Sequence, residues 1–197
     1  MRIYTIVGGV NGVGKSSLTG VLKDSRNDLG IIIDVDKITA ELDGNLIAGG
    51  KAALRRISSC LERGVSFTQE TTLSGYKTER TAKQARDAGY VIRLYYVGLD
   101  SVTESLSRIQ NRVKHGGHDI DHADVIRRFD GRWKALSTIL PYCDEAIFFD
   151  NSNGFTKVAE FSNGELRMVG NFRPQWLQEF NTYLNDALKE ELQRSEP

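Results

Sequence analysis

The stretch Gly9, Val10, Asn11, Gly12, Val13, Gly14, Lys15, Ser16 and Ser17 carries the most legible chemistry in the chain, and residues 9–16 fit GxxxxGK[ST] in full. Glycines at these positions let the backbone curl so that its N–H groups face one concavity. A helix starting directly afterwards adds its positive end, so the stretch is suited to holding the phosphates of ATP. In such a loop Lys15 reaches the β- and γ-phosphates, and the Ser16 hydroxyl is placed to ligate Mg2+. The competing reading is a plain glycine-rich turn. An apolar run just before the loop and the helical spacing of Leu18, Val21 and Leu22 just after it favour the phosphate cradle.

Three further stretches could work beside it. In DVDK, Asp34 and Asp36 offer carboxylates, which near a γ-phosphate are unfavourable unless they hold Mg2+ or take a proton from an attacking hydroxyl. Asp36 lies farther out and is the candidate base; its competing role is a helix N-cap. In ETTLSG, Glu70, Thr71 and Thr72 can hydrogen-bond a polyhydroxylated small-molecule acceptor, with Thr72 or Ser74 as alternative helix caps. Arg108 and Arg112, four apart on one helix face, precede His115-Gly116-Gly117-His118-Asp119 and then Arg127-Arg128. Arginines that close over a transferring phosphoryl group neutralise its equatorial oxygens. Arg112 and Arg128 are the candidates for that role, and Arg108 and His118 for acceptor contacts; a solvated face is the alternative for at least one of Arg127 and Arg128. His115, His118 and His122 match no familiar zinc spacing and have no cysteine nearby, which favours a loop or substrate-contact role.

Short apolar runs at 3–7, 31–33, 65–68, 91–97 and 146–149 alternate with helical patterns. That alternation predicts a three-layer α/β fold with about five parallel strands covered on both faces, so that the loops after strands two and three gather beside the glycine loop. Leu54, Ile57 and Leu61 predict a helix ending near Gly64, and Ser101 with Glu104 a capped helix carrying Val102, Leu106, Ile109 and Val113. Asp121 is a candidate cap for a helix whose stripe is Ile126, Phe129, Trp133, Leu136 and Leu140. After residue 152, KVAEF, Asn163-Gly164 and ELRMV read as a β-hairpin on the sheet or its edge. A last helix carries Leu177, Phe180, Leu184, Leu188 and Leu192 on one stripe, suited to core packing, with partner binding as the alternative.

The 197 residues suit one domain, 1–152 forming its core and 153–197 a hairpin and helix. Lys plus Arg and Asp plus Glu balance at 26 each, so no electrostatic footprint for nucleic acid stands out. No stretch approaches a membrane span, the start is too short an apolar run for a signal peptide, and Cys60 and Cys143 lack paired spacing, all of which fits a reduced, cytoplasmic protein.

Taken together, GVNGVGKSS, DVDK, ETTLSG, AGYVIRLYYVGL, RIQNRVKHGGHDI and FFDNS resemble the zeta-toxin family of bacterial P-loop proteins, and more closely its compact zeta-like branch, over about residues 2–152. The resemblance implies a fold like that of nucleoside and adenylate kinases and phosphoryl transfer from ATP with Mg2+ to a small hydroxyl acceptor. Characterised zeta toxins phosphorylate the sugar 3'-hydroxyl of UDP-N-acetylglucosamine. By motif, Lys15 and Ser16 match the phosphate and Mg2+ residues, Asp36 the base, and Glu70 with Thr72 an acceptor-binding block; a small antitoxin partner also follows from the resemblance alone. The segment RVKHGGHDI departs from the larger toxins. Two other readings stay open: a slow ATP-hydrolysing switch that engages a protein, and a nucleic-acid 5'-hydroxyl kinase.

Overall fold

The computed structural model describes residues 1–117 and 119–195, without the side chains of residues 46, 188 and 190–195. The five apolar runs form parallel strands: β1 (Ile3–Gly8), β2 (Ile31–Asp34), β3 (Phe67–Thr71), β4 (Val91–Gly98) and β5 (Glu145–Asp150). Between and after them run α1 (Lys15–Ser25), α2 (Val35–Ala40), α3 (Leu46–Arg63), α4 (Lys77–Asp87), α5 (Val102–Lys114), α6 (His122–Asp130) and α7 (Arg132–Ile139). A hairpin, β6 (Thr156–Ser162) and β7 (Glu165–Met168), and the long α8 (Gln175–Ser195) complete the described chain.

The strand order is β2-β3-β1-β4-β5-β6-β7. The sheet therefore has seven strands rather than five, because β6 pairs antiparallel with β5 and the hairpin continues the sheet. Its turn is the expected one: Asn163 and Gly164 both take positive φ, 53° and 80°, which matches the right-handed twist of the flanking strands.

Alternation along the strands builds two cores. On β4, Ile92, Leu94 and Tyr96 point into the larger, with Ala53, Ile57, Ala82, Ala85, Leu136 and Trp176. Tyr95 and Val97 point into the other, beside Leu18, Leu22 and Phe129. Strand β1, flanked by β3 and β4, is buried at all six of its positions, and the glycine loop leaves from its carboxyl end.

Several helices turn faces other than those the apolar spacing predicts. The stripe proposed from Ile126 to Leu140 is broken at Gly131 into α6 and α7, and Val125 and Phe129 are buried while Ile126 is 43% exposed. On α3 the inward face is Ala53, Ile57 and Cys60, with Leu54 outward; on α1 Val21 faces out. Helix α4 shows almost no apolar signal, since its buried face is Thr78, Thr81, Ala82 and Ala85, small enough for close approach to the sheet. Helix α8 packs on the core through Trp176, Leu177 and Phe180; of the predicted stripe, the side chains of Leu188 and Leu192 lie outside the described residues. Cys60 and Cys143 are free thiols, and burial pushes Cys143 up to about 12, far from a reactive thiolate.

Near the amino ends of the central strands, away from the glycine loop, Arg93 is 7% exposed and pairs with Asp28 at 3.0 Å and with Glu145. A buried guanidinium is tolerable only with such partners. The Arg26 guanidinium first, and Arg93 with it, hold the Asp28 carboxyl well below the usual carboxylate range. A depressed folded-state pKa adds stability above the unfolded value of about 4, and that stability is lost as pH falls below it. Asp28→Asn should therefore cost about 1 kcal/mol at neutral pH for this partly exposed pair. In urea unfolding the gap between parent and variant should narrow steadily as pH falls below about 4 and close only where the folded-state carboxyl is itself protonated, well below the usual carboxylate range.

Candidate active site

Helix α1 begins at Lys15 immediately after Gly14, whose φ of 100° puts it in the left-handed region and which brings no side-chain cap. The first N–H groups of α1 are thus left to an anion. A Cβ at Gly14 would sit 2.6 Å from Nδ2 of Asn151, and one at Gly9 2.5 Å from the Val97 carbonyl, so neither position admits a side chain.

The loop's carbonyls are tied back. Lys15 Nζ donates to the carbonyls of Gly9 and Val10 at 3.1 and 3.0 Å. Ser105 Oγ donates to the Asn11 carbonyl at 2.6 Å, and Asn151 Nδ2 to the Val13 carbonyl at 2.9 Å. With these carbonyls engaged by side chains, fewer acceptor groups of the loop are left to oppose an anion, as a polyphosphate site requires. Of the predicted loop residues, Asn11, Gly12, Gly14, Lys15, Ser16 and Ser17 line the cavity, whereas Gly9, Val10 and Val13 do not; the two valines anchor the loop in the core.

Because β3 pairs with β1, Glu70 lies opposite Val7 and next to the loop. Ser16 Oγ donates to its Oε2 at 2.6 Å. Glu70, expected beside an acceptor, thus faces the hydroxyl predicted to ligate a metal. Burial raises its carboxyl above the usual range, against the hydrogen bonds from Ser16 and Thr19 that lower it.

Asp34 and Asp36 divide their roles. Asp34 Oδ1 accepts the N–H groups of Asp36 and Lys37 at 3.0 and 3.1 Å, so the N-cap of α2 is Asp34 and not Asp36. That leaves the Asp36 carboxylate exposed on the cavity wall. Burial lowers the pKa of Lys15; Asp36 opposes this most, then Glu70 and Asp34, while Arg112 lowers it further. Three carboxylates and a guanidinium therefore surround one ammonium.

Arg108, Arg112 and Arg128 all reach this cavity of about 660 Å3, and Arg127 does not. Arg108 donates to Glu104 and to the Asn151 carbonyl, both at 2.6 Å. Arg128 donates to Oδ1 of Asn11 at 3.2 Å and to Asp124 at 3.3 Å. Thr71 and Thr72 line the opposite wall. Between Thr72 and Ser74 sits Leu73, 2% exposed with φ of 62°, an uncommon backbone for a residue with a side chain; the Thr71 hydroxyl holds its N–H at 3.0 Å. His118 lies outside the described residues, and neither His115 nor His122 lines the cavity.

The residue-by-residue reading missed Ser105, Asn151 and the acidic wall Asp119, Asp121 and Asp124. Asn151 could have been found, since it directly follows β5 on the same rim of the sheet. Ser105 sits among apolar helix positions, where nothing local marks it.

Among the described residues no group of three or more histidine, cysteine or acidic side chains converges to cage a metal. Mg2+ bound with a nucleotide needs less: a hydroxyl, one or two carboxylates, water and the phosphates themselves. The hard oxygen donors of Ser16 and Glu70, in contact at the loop's edge, fit that requirement.

No family model matches the chain. An uncharacterized protein of Haemophilus influenzae is 33% identical over 124 residues, which span 60% of this chain and 86% of that protein. The PezAT chromosomal toxin-antitoxin system of Streptococcus pneumoniae contains a chain that superimposes with a TM-score of 0.61 at 15% identity, covering 98% of this chain and 88% of that one. A chain of the AvrRxo1-ORF1:-ORF2 complex with ATP gives a TM-score of 0.66 at 15% identity over 93% of this chain; the match spans 63% of that longer chain. The seven-stranded α/β fold is shared with both of these chains. The chain belongs to one family with the Haemophilus influenzae protein.

Two substitutions probe this geometry. Lys15→Met should abolish ATP binding in titration calorimetry while leaving the circular dichroism spectrum unchanged. Glu70→Gln relieves the burial of a carboxylate, so the thermal midpoint should rise while Mg2+-dependent tightening of ATP binding is lost.

Proposed function

We propose that this protein is an ATP-dependent phosphotransferase whose acceptor is a small hydroxyl compound. The observation that carries the reading is Asp36: freed from capping by Asp34, exposed, and placed on the wall of a cavity that also holds Lys15, Ser16 and three arginines. A hydrolase needs room only for water beside its phosphates. Here one cavity of about 660 Å3 is lined by the glycine loop and also by Asp36, Thr71 and Thr72, so a small reactant could lie beside the phosphates.

In the reaction, the acceptor oxygen attacks the γ-phosphorus as Asp36 takes its proton, and the bond from that phosphorus to the β–γ bridging oxygen breaks, leaving ADP. Lys15 meets the β- and γ-phosphates, and Arg112 and Arg128 neutralise the equatorial oxygens. Ser16 and Glu70 would hold Mg2+, which when bound offsets the charge of the phosphates. Thr71, Thr72, Arg108 and His118 are assigned to the acceptor. The sugar 3'-hydroxyl of UDP-N-acetylglucosamine is the acceptor that the zeta-toxin resemblance supports, and the likeness to a chain of the PezAT toxin-antitoxin system supports a small antitoxin protein as partner. Residues 1–152 carry the chemistry and 153–197 brace it, in the cytoplasm where ATP is abundant.

Labelled ATP incubated with a bacterial metabolite extract, and then with UDP-N-acetylglucosamine alone, tests the proposal. A phosphorylated metabolite is expected; free phosphate alone would instead mark a nucleotide hydrolase. Asp36→Asn should keep ATP affinity within about twofold and lower transfer by at least about 100-fold, the range of general-base catalysis. Transfer at the parental rate would remove Asp36 from the mechanism.

A further inference from the structure

We infer that Asn151, held in place by Asp150 and Trp176, is a positioning residue for the phosphate loop. The inference rests on the phosphate-binding reading of residues 9–16.

The argument begins with a weakness of the loop. Gly14 at φ of 100° has no Cβ, so the peptide joining Val13 to Gly14 can turn over at little steric cost. Turned one way it presents an N–H to the cavity, and turned the other way a carbonyl oxygen that repels phosphate. The Asn151 carboxamide selects between them, since Nδ2 donates to the Val13 carbonyl at 2.9 Å and holds that oxygen away from the cavity. The bond spans 138 positions of sequence, so no local preference of the loop supplies it.

Asn151 is itself fixed from two sides. Its carbonyl accepts Nη2 of Arg108 at 2.6 Å, from the same helix whose Ser105 clamps the Asn11 carbonyl at 2.6 Å. On the other side, Asp150 is 2% exposed; its Oδ1 accepts the Ser152 N–H at 2.9 Å and its Oδ2 accepts the Trp176 indole N–H at 2.8 Å. A carboxylate so deeply buried requires these donors. Trp176 is in turn fully buried, its backbone N–H bonded to Asp100 at 2.9 Å. Its indole lies so close over Gly98 that a Cβ there would be 2.1 Å from the ring. The first turns of α8 thus lock the turn after β5, and that turn locks the phosphate loop.

Calorimetric titration with ATP and with inorganic tripolyphosphate separates positioning from contact with the nucleoside. Asn151→Ala should weaken both ligands alike by up to about tenfold, the upper scale of one neutral hydrogen bond. Asn151→Asp, which cannot donate to a carbonyl and adds a negative charge, should weaken both further. Trp176→Phe keeps a ring in the pocket but removes the indole N–H, and should weaken both ligands in the same direction at temperatures well below its melting point. If Asn151→Ala binds tripolyphosphate as the parent does, whether or not ATP weakens, the inference is overturned. Parental affinities in Trp176→Phe overturn the role given to α8. A parent chain that binds neither ligand overturns the phosphate-loop reading and this inference with it.

Discussion

The hydrogen bond from the Ser16 hydroxyl to the Glu70 carboxylate joins the first turn of the helix after β1 to the end of β3, and the geometry of the cavity follows from it. It forms because β3 is inserted between β2 and β1, so that Glu70 arrives directly beside the loop instead of one strand away. A carboxylate that is 7% exposed, with its pKa raised by burial, is a poor choice for stability alone. Its presence is understandable where a divalent cation binds on the same wall, because a neutral amide would be a weaker hard-oxygen partner for it.

Charge around Lys15 follows the same logic. Asp34 and Glu70 approach from the ends of β2 and β3 and Asp36 from the first turn of α2, while Arg108, Arg112 and Arg128 come from α5 and α6. The carboxylates are kept apart in function by hydrogen bonding: one caps a helix, one holds a loop hydroxyl, and one is left exposed. Which carboxylate is exposed is decided by where β2 gives way to α2: the strand ends at Asp34, which caps the helix, and Asp36 falls in the first turn.

The hairpin and last helix are more than an addition to the five parallel strands. By continuing the sheet beyond β5 they cover its edge, and through Trp176 they reach the ends of β4 and β5 beside the phosphate loop. The rigidity of the loop thus draws on residues from both ends of the chain. Helix α5 contributes in the same manner, with Ser105 and Arg108 on one face reaching respectively the loop and the turn that holds it.

By itself the sequence determined what is encoded within a few residues: the glycine-rich turn from β1 into α1, the five parallel strands, the Asn163-Gly164 turn, and the Ser101 and Asp121 caps. Each rests on local backbone preference or on alternation, which neighbours in sequence suffice to specify. The inward face of a helix was less legible, since Ile126 and Val125 are equally apolar and only packing on the sheet chooses Val125. Tertiary structure alone decided that Asp34 caps in place of Asp36, that Glu70 turns to Ser16, and that Ser105 and Asn151 hold the loop. The last three are contacts across 54, 94 and 138 positions, which strand order brings together and no local preference can specify.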